Sequence, residues 1–333
     1  MRRGWLIVVS VVALLLVGCA SASWVLFSSA YKGDEEARLY IRTGEQDSLP
    51  SRLSQAGVRT LGLRLLTRMG GGAKPGMYII TKGQSITTIY KRLRSGRQDP
   101  VQLTLPSLRT TDALAAFLSS RLMLDSAYVS SSLGNALYTD SYGYTPETVI
   151  ALFIPNTYEV YWNVSLDDLM SRMRRENILF WNVAREAKAK ALGMTHVEVA
   201  TLASIVDEET NDNGEKPTIA GMYINRLKCG MPLQADPTVK FAVGDFSLRR
   251  LLNEHLQVES PYNTYLHEGL PPGPIRMPSV AGIDAVLDYT HSNYLYMCAK
   301  EDFSGTHRFA ATYQEHLSNA RRYRKALDQR GIR

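Results

Sequence analysis

The feature that most constrains this chain is an unbroken apolar run near its start. From Trp5 to about Phe27 no residue carries a charge, and Arg2 and Arg3 stand just before the run. About 20 consecutive apolar residues suffice to span a bilayer as an α-helix. A leading arginine pair favours a cytoplasmic N-terminus, which places the rest of the chain outside the cytoplasm. Leu16-Val17-Gly18-Cys19 also resembles a lipobox, in which Cys19 would be cleaved and lipidated. A lipoprotein usually carries a polar tether after that cysteine, whereas Trp24-Val25-Leu26-Phe27 prolongs the apolar run. Length therefore favours a single-pass anchor over lipidation at Cys19. Both readings export the remainder of the chain.

The chain has 333 residues, 45% hydrophobic and 21% charged, enough for one or two cored domains beyond the anchor. A net charge of +6 suits an acidic polymer or an anionic membrane surface without specifying either. No long basic tract with interleaved aromatics occurs, which argues against nucleic acid as a partner. Cys19, Cys229 and Cys298 are the only cysteines, and their spacing matches no metal site. Cys229 and Cys298 either pair in an oxidising compartment or remain buried free thiols. There is no Gly-x-Ser-x-Gly elbow, His-Glu-x-x-His helix, Walker loop or dinucleotide fingerprint. No metal and no cofactor are expected.

The charged stretch Lys32–Arg38 reads as a juxtamembrane linker. Gly76–Ile80 reads as a strand, Lys82-Gly83 as a turn, and Ser85 as the cap of a helix bearing Ile86, Ile89, Tyr90 and Leu93, closed by Gly96. Val101–Leu105 alternates like a second strand. A further helix starts near Thr110-Thr111 with Leu114, Phe117, Leu118 and Leu122 on one face. This strand–helix–strand pattern fits a small binding module or a plain spacer. Residues 123–148 are rich in Ser, Tyr and Gly and read as irregular. Asp167–Leu192 reads as one long helical stretch stopped by Gly193. Thr195-His196-Val197-Glu198 is a capping box. Pro217 opens a helix that Gly230 ends, and a basic helix spans about Thr312 to Gln329.

The chemistry concentrates after the capping box. Val199, Leu202, Ala203 and Val206 recur at helical spacing and form a buried stripe. The helix ends in Asp207, Glu208 and Glu209. Glu208 points away from the stripe, Asp207 lies on a flank, and Glu209, seven past Leu202 and three past Val206, continues it. A carboxyl held against apolar side chains resists ionising, and a raised pKa is what a general acid needs near neutral pH. A nearby Arg226 or Lys216 would oppose that rise. Acids at a helix C-terminus are disfavoured by about 0.3–1 kcal/mol each, and such local violations concentrate at functional sites. The alternative is a solvated acidic turn. Downstream lie the polar loop Gln234-Ala235-Asp236-Pro237-Thr238, the aromatic–amide run Tyr262-Asn263-Thr264-Tyr265, and the stiff loop Gly269–Ile275, suited to walling a cleft. His307-Arg308-Phe309 lies further on. The aromatic–amide run reads either as a sugar platform or as a turn with packed aromatics.

At these residues the chain resembles the endolytic murein transglycosylases, or YceG-like proteins. The matching stretches are Leu202–Thr210, Ile224–Leu227, Gly230–Val239, Tyr262–Tyr265, Gly269–Ile275 and His307–Phe309. Upstream, Phe153-Ile154-Pro155-Asn156-Thr157-Tyr158 looks like the family's Phe-x-Pro-Asp-Thr-Tyr, with Asn156 in place of the aspartate. The segment from Gly76 through the Ser85 helix resembles its LysM-like module. The resemblance implies an α+β fold: an N-terminal transmembrane helix and linker start (1–31), a small LysM-like α/β module (32–122), a connecting segment (123–147) and a mixed α+β catalytic domain (148–333). It also implies a lytic transglycosylase in which the second glutamate of Glu-x-Glu-Thr, here Glu209, is the acid/base. Asp207 stands at the first position. Implied substrate contacts, joined to chemical type, are Gln234, Asp236, Tyr262, Asn263, Tyr265 and His307. The implied setting is the inner (plasma) membrane with the domain outside. Implied partners are peptidoglycan glycan strands and their polymerases. A muramidase that adds water and a non-catalytic peptidoglycan-binding scaffold are the competing readings.

Overall fold

The computed structural model describes residues 2–44, 48–248 and 250–331, which fall into two compact units. The first comprises the residues up to Leu103 with Ser119–Leu124 and Tyr158–Ser165, and the second comprises the remainder. The fold is mixed α+β with one N-terminal apolar helix.

In the first unit, α1 (Arg2–Phe27) contains the 24-residue span Gly4–Phe27, with a mean hydropathy of 2.5 and no buried share. By length and composition it is able to cross a membrane. Its last turn is tied down where the Thr87 hydroxyl donates to the Leu26 carbonyl at 2.7 Å. Next come β1 (Ala37–Ile41), α2 (Leu49–Gln55), α3 (Leu63–Gly70), β2 (Gly76–Ile80) and α4 (Ile86–Ser95). β1 and β2 pair antiparallel, with Leu39 opposite Tyr78. Leu39, Ile41, Leu53, Leu63, Tyr78, Ile80, Ile89 and Leu93 form the core between ribbon and helices. α4 begins and ends as its sequence predicts: the Ser85 side chain accepts from Thr88 N, and Gly96 takes the left-handed conformation at φ 73°.

The expected strand, helix and second strand are all present, but the two strands do not pair with each other. β2 pairs backwards with β1, while β3 (Pro100–Thr104) pairs with a strand at Thr157–Tyr161. β1 escaped prediction because its charged neighbours read as linker. α5 (Thr111–Arg121) buries Leu114 and Leu118, with Leu122 buried just beyond its end. The segment expected to be irregular holds α6 (Ser126–Leu133) and α7 (Ala136–Asp140). Serine-rich sequence has weak helix propensity, but Asp125 and Asn135 cap the two helices and Val129 and Leu133 are buried.

The strand at Thr157–Tyr161 is β4. After it, the predicted single helix is two, α8 (Leu166–Phe180) and α9 (Val183–Leu192). Asn182 makes the break, its side-chain oxygen accepting from Ala184 N and Arg185 N at 3.1 Å each. Around these the second unit builds α10 (His196–Glu209), α11 (Lys216–Lys228), α12 (Asp236–Val243), α13 (Val280–Leu287), β5 (Tyr296–Ala299), β6 (His307–Ala310) and α14 (Tyr313–Gln329). The Thr195–Glu198 capping box is present. α10 is more deeply set than an amphipathic stripe implies, since every residue from Val199 to Asp207 is buried. Ile219, Met222, Tyr223, Ile283 and Val286 of α11 and α13 share its core. Close approach of α13 depends on Gly282: a Cβ there would lie 2.6 Å from Asp207 Oδ1. Gly269–Ile275 docks on the helix through Ile275 N, which donates to Ser204 Oγ at 3.0 Å. β5 and β6 pair antiparallel and set Ala299 opposite His307. Cys19, Cys229 and Cys298 are free thiols, with Cys229 exposed rather than buried.

Candidate active site

Three consecutive acids at the end of α10 meet three different surroundings. Asp207 is almost completely buried and pairs with Lys216 at 2.8 Å. Ser279 adds its backbone N–H at 2.6 Å and its hydroxyl at 2.8 Å. Glu208 accepts two bonds from the Arg109 guanidinium, both at 2.9 Å, and one from Arg276 at 2.8 Å. Glu209 has no ion pair among the described residues. Its Oε1 accepts the Tyr223 hydroxyl at 2.6 Å.

Glu209 opens into a cavity of about 260 Å³ lined also by Tyr223, Arg226, Gln234, Asp236, Tyr265 and His307, with Met297–Ala299 of β5 as one wall. Burial pushes the Glu209 carboxyl up to about 6. The Tyr223 hydrogen bond opposes that rise, the Asp236 charge adds to it, and His307 and Lys240 oppose it. The cations expected to oppose it, Arg226 and Lys216, are committed elsewhere. Lys216 holds Asp207, and Arg226 donates to the carbonyls of Leu295 at 2.6 Å and Leu233 at 2.7 Å.

Of the residues singled out from sequence, the cavity gathers Glu209, Gln234, Asp236, Tyr265 and His307. Gln234 adopts φ 48°, a left-handed conformation uncommon for a residue with a side chain. It is held there by its N–H, which donates to Thr264 O at 3.0 Å. Such conformations cost about 1–3 kcal/mol and cluster at functional sites. Asp236 opens α12 and accepts the Tyr265 hydroxyl at 2.6 Å. Burial, helped by that bond, holds the Tyr265 phenol well above its ordinary value.

Tyr262 and Asn263 do not line the cavity. Asn263 is completely buried, and its amide donates to Leu256 O at 3.1 Å and Val258 O at 2.9 Å. Its own oxygen accepts from Tyr265 N at 3.0 Å, so it shapes the turn that carries Tyr265. Tyr262 packs against Phe241 with ring centroids 4.7 Å apart. The Gly269–Ile275 loop also stands outside the cavity lining. Sequence reasoning missed Tyr223, one helix on from Glu209, because a tyrosine within a buried helix carries no catalytic signal of its own. A larger open groove of about 800 Å³, bordered by Tyr144, Arg174, Lys190 and His196, contains none of the three acids.

The cavity thus sets a carboxyl without an ion pair among the described residues at the end of a buried helix in a mixed α+β domain. The chain belongs to the YceG-like family, whose pattern matches residues 39–322. It is 28% identical over 268 residues to a Bacillus subtilis protein named endolytic murein transglycosylase, covering 76% of this chain and 73% of that one. A Streptococcus pneumoniae protein of the same name is 26% identical over 283 residues, and the match spans 74% of this chain and half of the relative. The structure is similar to that of a YceG-like protein from Listeria monocytogenes, with a TM-score of 0.58 and 26% identity, covering 86% of this chain and 99% of that one.

Proposed function

We propose that this protein is a membrane-anchored endolytic murein transglycosylase that cuts the bond between N-acetylmuramic acid and N-acetylglucosamine, with Glu209 as its acid and then its base. The observation that carries this reading is the unpaired, half-buried Glu209 carboxyl, raised to about 6, at the head of a polar cavity. Tyr223 occupies Oε1, which leaves Oε2 to carry the proton toward substrate. Glu209 donates to the glycosidic oxygen as positive charge develops at the anomeric carbon of the muramic acid. The resulting carboxylate takes the proton of the sugar's own C6 hydroxyl, whose oxygen closes onto that carbon. The product is a 1,6-anhydro end. Because the nucleophile belongs to the substrate, one carboxylate suffices. Gln234, Asp236, Tyr265 and His307 supply hydrogen-bonding groups for the sugar.

α1 anchors the chain in the inner (plasma) membrane with the domain outside, where cleavage ends or releases nascent glycan beside its polymerases. The LysM-like reading attaches to the small unit built on the β1/β2 ribbon, as a glycan-binding module. One observation favours a second reading: Asp236 shares the cavity with Glu209, and a muramidase needs a second carboxylate about 5–9.5 Å from the first. Product analysis separates the two. Mass spectrometry of glycan cut by the full chain is expected to show anhydro ends, whereas reducing ends would establish hydrolysis.

A further inference from the structure

His307 is held in the cavity by a carboxylate that neither the sequence motifs nor the reaction above employs. Glu215, at the N-terminal boundary of α11, has a side chain only 8% exposed, and that of His307 is 16% exposed. The two meet twice: Glu215 Oε1 accepts the His307 backbone N–H at 2.6 Å, and Oε2 lies 2.9 Å from the ring Nδ1. A carboxylate has no hydrogen to give, so Nδ1 carries it. In the neutral ring Nε2 is then the acceptor. It has no protein partner among the described residues, and the residue lines the cavity that holds Glu209.

We propose that Glu215 is a positioning residue that fixes the His307 tautomer, so that Nε2 accepts a hydrogen bond from a sugar hydroxyl bound beside Glu209. This rests on the transglycosylase reading and deepens it. Made by a hydroxyl other than the one at C6, this bond fixes the sugar ring beside Glu209, keeps the C6 oxygen facing the anomeric carbon and leaves the C6 proton for the Glu209 carboxylate to take. Fixing the tautomer through a buried carboxylate is the logic of serine-protease triads, where an amide in its place leaves the geometry intact but selects the wrong tautomer.

Glu215→Gln makes a direct test in the full chain. The amide oxygen still accepts the His307 backbone N–H, and the NH₂ then faces Nδ1 and drives the hydrogen to Nε2. With ¹⁵N-labelled histidine at a pH where the ring is neutral, the unmodified chain is expected to show the Nδ1–H form and Glu215→Gln the Nε2–H form. Glycan cleavage by Glu215→Gln should lose about 10²-fold in kcat. His307→Asn keeps a donor for Glu215 but removes the acceptor from the cavity; it should lose as much. The double variant should lose no more, because the two residues act as one. His307→Gln, whose longer amide places an oxygen near the Nε2 position, should recover about tenfold over His307→Asn. Should Glu215→Gln fail to fold, the asparagine and glutamine variants at 307 carry the test. An unmodified chain in the Nε2–H form, or unchanged kcat in Glu215→Gln or His307→Asn, overturns the proposal alone. An unmodified chain that cuts no glycan overturns the underlying reading with it.

Discussion

The two sides of the α10 C-terminus face opposite electrostatic situations. On one side Asp207 and Glu208 face three cations and a serine. On the other side Glu209 faces a phenol and a cavity. All three acids suffer the same unfavourable helix end. Only the first two have that cost offset by ion pairs. The lesson is one of allocation: Lys216, Arg109 and Arg276 are fully occupied by the neighbours, so burial governs the third carboxyl and lifts it to about 6.

The contrast breaks first at Asp207. Asp207→Ala leaves Lys216 buried without its partner and should cost about 3–5 kcal/mol, read from urea unfolding of the full chain. An effect under about 1 kcal/mol would show that the pair is not structural. Glu209 should behave oppositely. Its folded-state pKa is raised, so the folded protein binds the proton more tightly than the unfolded chain, and stability is lost as pH rises from the ordinary glutamate range through about 6. Glu209→Gln, with no proton to lose, should match the unmodified protein near pH 4 and exceed it by about 2 kcal/mol above pH 7.

Tyr223→Phe should move the alkaline limb of kcat/KM upward by about one pH unit or less, because the lost bond favoured the charged form of Glu209. A downward shift, read from the pH–rate profile of glycan cleavage, would reverse the assigned role. The smallest effect belongs to Glu208→Gln. Arg109 is 45% exposed, so solvent screens part of that pairing, and the loss should be about 1 kcal/mol or less in the same urea measurement.

Much of this was legible in the chain. The position of Glu209 on α10 follows from helical periodicity, and the capping box at Thr195 and the ends of α4 follow from their cap residues. What one sequence could not reveal is long-range pairing. Arg109 lies 99 positions from Glu208, and Arg276 lies 68 positions away from it, so no local pattern announces that Glu208 is neutralised. The amide of Asn263 illustrates a different limit. Its residue type suits a sugar, but a turn needs the same amide for its own carbonyls, and only the fold shows which use prevails. Asn182 was hidden likewise: within a run of good helix formers, a cap is indistinguishable from a tolerated polar residue until the break is seen.

The most direct measurement is mass spectrometry of glycan ends released by the full chain and by Glu209→Gln side by side. The account predicts 1,6-anhydromuramic ends from the unmodified chain and at least about 10³-fold fewer from Glu209→Gln, which stays folded. Anhydro ends made equally well by both would contradict it, and would move the acid to another group of the same cavity, beginning with Asp236.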